Sequence, residues 1–229
     1  MIADSLVKKF KAIVGDDNAW TDATDLHTYS YDAAVVDPVQ PGLIVRPTTA
    51  EALGQAVRLC NENGLPLTVR GAGTNLSGGT VPLPGGVVIA TNGMKSILEI
   101  NEADMYAVVQ PGVVTAKLAA AVEARGLFYP PDPGSQAVST IGGNVAENAG
   151  GLRGLKYGVT RDYVMGVSFF DVDGNLVKTG SRTVKCATGY NLTGLIVGSQ
   201  VTLGVFTEII LKLIPLPLHR KAMMAVFES

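Results

Sequence analysis

Only two cysteines and two histidines occur in 229 residues. Cys60 and Cys186 stand far apart, without zinc-type spacing and too few for a disulfide framework, so buried, reduced thiols are expected. His27 and His219 have no partner pattern, and no metal centre is expected. Neither sign of charge dominates: 18 basic and 20 acidic residues give a formal net charge of −2. That balance lacks the basic footprint of a nucleic-acid-binding protein. No apolar run reaches bilayer-spanning length, and the N-terminal MIADSLVKKFKAIVGDD carries charges inside its apolar pattern, unlike a signal peptide. The expectation is a cytoplasmic protein, with any membrane association made through partners. Charged residues are few, 17 %, against 47 % hydrophobic. Such a chain buries a packed core, as one large domain or two lobes, and is not disordered.

Glycine is what the chain has in excess. Its 27 glycines cluster in 71–86, 142–158 and 189–204. The first cluster begins RGAGTNLSGGT, Arg70 to Thr80. A dinucleotide fingerprint would need Gly where Leu76 stands, and a P-loop would need Lys where Gly79 stands. No acidic residue lies about 20 positions further on, where Ala90 and Thr91 are found, so an NAD- or ATP-dependent enzyme is disfavoured. Successive backbone N–H groups can still form a concave anion site without lysine. Thr74, Asn75 and Ser77 are expected to add side-chain donors. The second cluster offers Gly142, Gly143, Asn144, Asn148, Gly150 and Gly151, beside a stiff corner at Pro131, Asp132 and Pro133. Three such clusters are expected to converge on one extended ligand, larger than a single nucleotide. The plainer readings are a tight connection for the first loop, a turn residue for Asp132, and a solvated rim for Arg153, Lys156 and Arg161. Trp20 reads as a packing residue.

Periodicity places these loops on an α/β frame. Residues 2–14 predict an amphipathic helix with Leu6, Phe10, Ile13 and Val14 on one side. Residues 15–41 are turn-rich. GLIVRP reads as a strand, and Thr48 to Glu51 has capping-box spacing for a helix that Gly64 ends. Strands are expected at 65–70, 85–91, 105–111 and 205–215. Thr115 is expected to cap a helix ended by Gly126. Residues 129–163 show no clear period. VMGVSFFDVDGNLVKTG predicts a hairpin turning at Asp173-Gly174.

Seven segments, in order, carry a resemblance to a known family. They are P-T-T-A-E-A-L (47–53), V-R-G-A-G-T-N-L-S-G-G (69–79), P-P-D-P-G-S (130–135), S-T-I-G-G-N-V-A-E-N-A-G-G (139–151), K-Y-G-V-T-R-D-Y-V (156–164), T-G-Y-N-L (188–192) and T-L-G-V-F-T-E (202–208). The chain resembles FAD-binding domains of the vanillyl-alcohol-oxidase/para-cresol-methylhydroxylase type. Within them it is most similar to FAD-linked subunits of bacterial glycolate oxidases and to D-lactate dehydrogenases. The resemblance implies an α+β, two-lobed FAD-binding fold. An N-terminal helix and irregular segment would occupy 1–37. The FAD-binding domain would occupy 38–215, in lobes of about 38–100 and 101–215. Residues 216–229 would begin a cap domain that is otherwise missing.

The resemblance also assigns residues. Arg70, Gly71, Ala72, Gly73, Thr74, Asn75, Leu76 and Ser77 would wrap the pyrophosphate. Pro131, Asp132, Thr140, Gly142, Gly143, Asn144, Asn148, Gly150, Gly151, Tyr157 and Gly158 would border the flavin and ribityl chain. Gly198, Ser199, Gly204 and Val205 would lie along the adenosine half. Thr74 and Asn75 stand where covalent members carry histidine, so FAD is expected to bind noncovalently. The family's G-S-E-G-T-L-G reads G-S-Q-V-T-L-G here, placing Gln200 for Glu and Val201 for Gly. Relatives carry the catalytic base and substrate arginines in the cap, so no catalytic residue is assigned here. The implied function is hydride transfer from a small 2-hydroxy acid to flavin, with an iron–sulfur subunit as electron acceptor and self-association through an uncapped face. The alternative is a flavin-binding or flavin-free partner subunit without its own catalysis.

Overall fold

The computed structural model describes residues 2–219, 221 and 223–227. Along the chain run α1 (Asp4–Val14), β1 (Ala19–Trp20), α2 (Ala23–Thr28), β2 (Leu43–Val45), α3 (Ala50–Glu62), β3 (Leu67–Arg70) and β4 (Val87–Ala90). They are followed by β5 (Ile97–Asn101), β6 (Tyr106–Val109), α4 (Thr115–Glu123), β7 (Leu127–Phe128), α5 (Ile141–Glu147) and α6 (Gly154–Tyr157). The last elements are β8 (Val164–Phe170), β9 (Leu176–Gly180), α7 (Leu192–Ile196), β10 (Val205–Lys212) and β11 (Ile214–Pro215).

Two sheets result. The first has the order β1-β2-β4-β3, with β2, β4 and β3 parallel and β1 antiparallel at the edge. Its inner strands are buried on both faces, as parallel strands covered by helices should be, and read as apolar runs such as Val87–Ala90. The second sheet, β5-β6-β10-β8-β9, is antiparallel throughout. The predicted hairpin is β8 and β9, and Asp171 organises its turn by accepting the amides of Asp173 (3.0 Å) and Asn175 (2.8 Å).

Each sheet has its own core. Phe10 and Val14 of α1 join Leu53 and Val57 of α3 over the first sheet. Leu118, Val122, Ile141, Ile209 and Leu211 fill the second. The cores are stitched together: Phe170 and Val205, on strands of the second sheet, pack into the first core. Gly54 allows that contact, because a Cβ there would lie 2.6 Å from the Phe170 ring.

Several expectations shift. The cap of α3 is Thr49, not Thr48; its side chain accepts the Ala52 amide at 3.1 Å. Ala52 therefore holds the third helical position, and no capping box forms with Glu51. Thr115 does not cap α4 either. It is fully buried in the helix's first turn, where its hydroxyl donates to the Ser139 carbonyl and accepts from Asn144 Nδ2 at 2.8 Å. The aperiodic stretches 15–41 and 129–163 contain α2, α5 and α6, each too short to show a period. The first sheet takes in Ala19 and Trp20, within the segment set apart as 1–37. The change of sheet falls between Ala90 and Ile97. The described residues of 216–227 form no strand, while 220, 222, 228 and 229 lie outside the described residues.

Candidate functional site

A cleft of about 810 Å³, counting its solvent-filled mouth, opens between the two lobes. Gly71, Ala72, Gly73, Thr74, Asn75, Gly79 and Thr80 line one wall. Thr140, Gly142, Gly143, Asn144 and Glu147 line another, and Gln200 and Val201 close it. Val69, Pro111, Ala149 and Phe206 add apolar lining. All three glycine-rich segments thus meet on one cleft.

Glycine is required where backbones close on one another. A Cβ on Gly71 would collide with Thr140 Oγ1, which caps α5 by accepting the Gly143 amide at 3.2 Å. A Cβ on Gly142 would lie 2.6 Å from Pro111. The loop after β3 therefore rests directly on the start of α5. Among the described residues, no backbone N–H from Gly71 to Gly78 donates to a protein acceptor. The start of α5 is different: the amides of Ile141, Gly142 and Gly143 already donate to Val113, Pro111 and Thr140. Free donors for an anion are concentrated in the first loop, as in backbone nests.

The side chains of that loop do other work. Asn75 Nδ2 donates to Asp32 (2.7 Å), and the Ser77 hydroxyl donates to Glu147 (3.0 Å). Neither is the free phosphate donor the sequence suggests. Arg70 is buried behind the loop, stacked 5.4 Å from the Tyr29 ring centroid and donating to the Tyr31 carbonyl. Burial pushes its pKa below the ordinary value, while Tyr29, Asp32 and Tyr31 pull it back up. Leu76 is exposed. Among the described residues, Glu147 is the only ionisable one lining the cleft.

The remaining sequence-assigned residues support the walls rather than line them. Asp132, after Pro131, pairs with Arg153 (3.3 Å) and accepts the Arg153 amide (3.1 Å). A Cβ on Gly151 would collide with the Asp132 carbonyl, and one on Gly150 would lie 3.0 Å from Val159. Asn148 ends α5 at φ +51°, and its Oδ1 accepts the Arg161 amide at 2.9 Å. Tyr157 meets Phe128 edge-on at 5.7 Å, and Gly158 turns at φ +82° against Asp162. Gly198 ties to the Val145 carbonyl (2.9 Å). Ser199, whose Oγ is buried with no partner, opens the turn to Thr202. Gly204 packs on Phe169, and Val205 on the first core.

In that turn Gln200 and Val201 both sit at positive φ, +52° and +65°, and the Thr202 amide returns to the Ser199 carbonyl at 3.0 Å. This is the signature of a type I′ turn, whose second central position favours glycine.

Residues 41–180 match the family model described as FAD binding domain. The chain belongs to that family, and its cofactor is FAD. It is 44 % identical over its whole length to glycolate oxidase subunit GlcD of Bacillus subtilis, covering 49 % of that protein. It is 40 % identical to a D-lactate dehydrogenase of Anaerostipes hadrus, over 94 % of this chain and 45 % of the relative. The chain spans about half the length of the curated relatives it matches. Among solved structures, alkyldihydroxyacetonephosphate synthase superposes with a TM-score of 0.85 at 23 % identity, over 96 % of this chain and 42 % of the other. p-Cresol methylhydroxylase does so with 0.80 at 23 %, over 94 % and 44 %. The fold is the two-lobed α+β fold of that type. The free amides of residues 71–78 and the glycine-lined contact with Thr140 suit a pyrophosphate lying between the lobes.

Proposed function

We propose that this chain supplies the FAD-binding domain of a 2-hydroxyacid oxidoreductase acting on acids of the glycolate and D-lactate kind. The observation that carries the reading is the run of unpaired amides, Gly71 to Gly78, along a cleft between two lobes. Bound FAD would supply the hydride-accepting chemistry, and the protein's part would be to orient and shield it. The first loop would hold the pyrophosphate by backbone N–H groups. The walls built by Thr140–Asn144 and by Ser199–Val205 would hold the flavin and adenosine ends. Among the described residues no histidine or cysteine lines the cleft, which supports noncovalent binding. Among the described residues no arginine or lysine lines it either, so that lining offers no cationic clamp for a substrate carboxylate. We therefore expect FAD binding with turnover of free glycolate or D-lactate well below that of the longer relatives.

The test is a visible absorption spectrum after the purified chain is incubated with FAD and desalted. Retained flavin bands support the reading, and a colourless protein overturns it. An assay showing turnover equal to a full-length relative would overturn the second part. Three further parts of the proposal are an iron–sulfur electron acceptor, a cytoplasmic location with membrane association only through partners, and self-association. The relative's designation as a glycolate oxidase subunit supports the first. Leu152, Leu155 and Tyr190, each at least 94 % exposed, support the third, and a monodisperse monomer in light scattering would remove it. The second reading, a partner subunit without catalysis, draws on Val201, which lines the cleft from a turn that holds it at positive φ.

A further inference from the structure

The glycine loop is shaped from behind by a residue far from it in sequence. Asp32 follows α2 in the turn-rich segment and is 7 % exposed. Its Oδ2 lies 2.7 Å from Asn75 Nδ2 and 3.3 Å from the Thr80 amide. Its Oδ1 accepts the Ala34 amide at 2.8 Å, which orients the carboxylate. The Thr80 hydroxyl, 3.0 Å from Asn75 Oδ1 and 3.4 Å from Asp32 Oδ2, has one proton to share between them. Next to Asp32, the Ala33 amide donates to the Asn75 carbonyl at 3.2 Å. At the loop's start, Arg70 donates to the Tyr31 carbonyl. Segment 29–33 thus grips the loop at Arg70, Asn75 and Thr80.

The chemistry of this grip is specific. A carboxylate is acceptor-only, so Asp32 can satisfy Asn75 and Thr80 together without offering a competing donor. It consumes the Asn75 side-chain amide and the Thr80 amide, and none of the N–H groups from Gly71 to Gly78. A buried anion behind a pyrophosphate site would oppose binding if left alone. Arg70, buried beside it, supplies the matching cation.

We propose that Asp32 is the positioning residue of the cofactor loop, holding residues 71–78 in the shape that keeps their amides free for the pyrophosphate of FAD. The inference rests on the FAD reading above. Asp32→Asn is the perturbation. It keeps the volume but turns one acceptor into a donor facing Asn75 Nδ2 and the Thr80 amide. Asp171→Asn is the control, since Asp171 likewise accepts backbone amides but does so in the β8–β9 turn. Two readouts are needed. The first is thermolysin cleavage of the ligand-free chain at Leu76, which is 80 % exposed. The second is the dissociation constants of FAD and of ADP, which carries the pyrophosphate without the flavin.

Losing a hydrogen bond to a charged group should raise both dissociation constants about tenfold to a hundredfold. Cleavage at Leu76 should quicken about as much, while D171N stays within about twofold of wild type on both measures. D32N indistinguishable from wild type in cleavage and in both affinities would overturn the proposal. Equal losses in D171N would do so too. A wild-type chain that binds neither FAD nor ADP would sink the FAD reading, and the Leu76 cleavage rates would still decide whether Asp32 holds the loop.

Discussion

Val201 is the residue whose replacement tests the cleft wall most sharply. It sits at φ +65°, where an L-residue costs about 1–2 kcal/mol, toward the upper end for a β-branched side chain. The turn cannot relax easily, because the Gly198 and Gln200 amides are tied to the carbonyls of Val145 and Ala146 at 2.9 Å each. Against the strain stands packing: half-buried Val201 touches both cores, worth about 1 kcal/mol, roughly half of full burial. V201A loses most of that packing and keeps a Cβ at positive φ. V201G loses the packing and about 0.5–1 kcal/mol of backbone entropy, but relieves the strain. The expected result is V201G close to wild type and more stable than V201A by about 1 kcal/mol. That order reverses the usual preference for alanine. Urea denaturation of the three proteins at constant m measures it. V201A equal to or more stable than V201G would refute the reasoning, because it would mean that the turn does not hold its second central residue in the left-handed region. In the same set, V201G should bind FAD no more weakly than wild type, since the smaller residue opens the wall.

Other outcomes follow from the same contacts. G71A should destabilise by about 1–3 kcal/mol through overpacking on Thr140. T140A alone should cost about 1 kcal/mol as a lost cap, and G71A should cost far less in the T140A background; a denaturation cycle that proves additive would contradict this. G151A, whose Cβ would strike the Asp132 carbonyl, should be severely destabilised, whereas G134A, with open space around it, should stay within about 0.5 kcal/mol of wild type. Thiol labelling of the folded chain should modify exposed Cys186 quickly and Cys60 only on unfolding. Burial pushes the Cys60 thiol from 9.0 up to about 12. Its contribution to stability is therefore full below pH 9.0 and declines toward pH 12, and C60A should lose that alkaline decline in a pH series of melting curves.

Most of the frame was legible because strong local patterns agree with tertiary burial. The β8–β9 hairpin followed from alternation around Asp173-Gly174, and α1 from its spaced apolar residues. The exceptions have local causes. Threonines at 48 and 49 are both plausible caps, and only the observed bond to the Ala52 amide chooses between them. Thr115 looks like a cap from its place before AKLAAAVEAR, but it is buried where Ser139 and Asn144 need a hydroxyl. Four- to seven-residue helices such as α5 and α6 give no period to read. The glycine clusters do meet on one cleft. They could not show which glycines face it and which, like Gly151 and Gly204, yield to a neighbouring backbone or ring. Asp32, Glu147 and Gln200 carried no motif that tied them to the loop. The only signal was the departure at Gln200 and Val201 from the family pattern.

What the sequence determined by itself is therefore local. It set where the backbone must be bare, in 71–79, 142–151 and 198–204, because glycine's freedom and lack of a Cβ are properties of the residue alone. It also set the apolar spacing that builds the strands and helices flanking those segments. Tertiary structure decided which amides remain unpaired and which side chains are already engaged. Asp32 and Asn75 are 43 positions apart, and Ser77 and Glu147 are 70 apart. The first bond exists only after the N-terminal segment has packed on the first lobe, the second only after the two lobes have met. With Asn75 and Ser77 engaged in that way, the loop's own N–H groups remain without protein acceptors among the described residues.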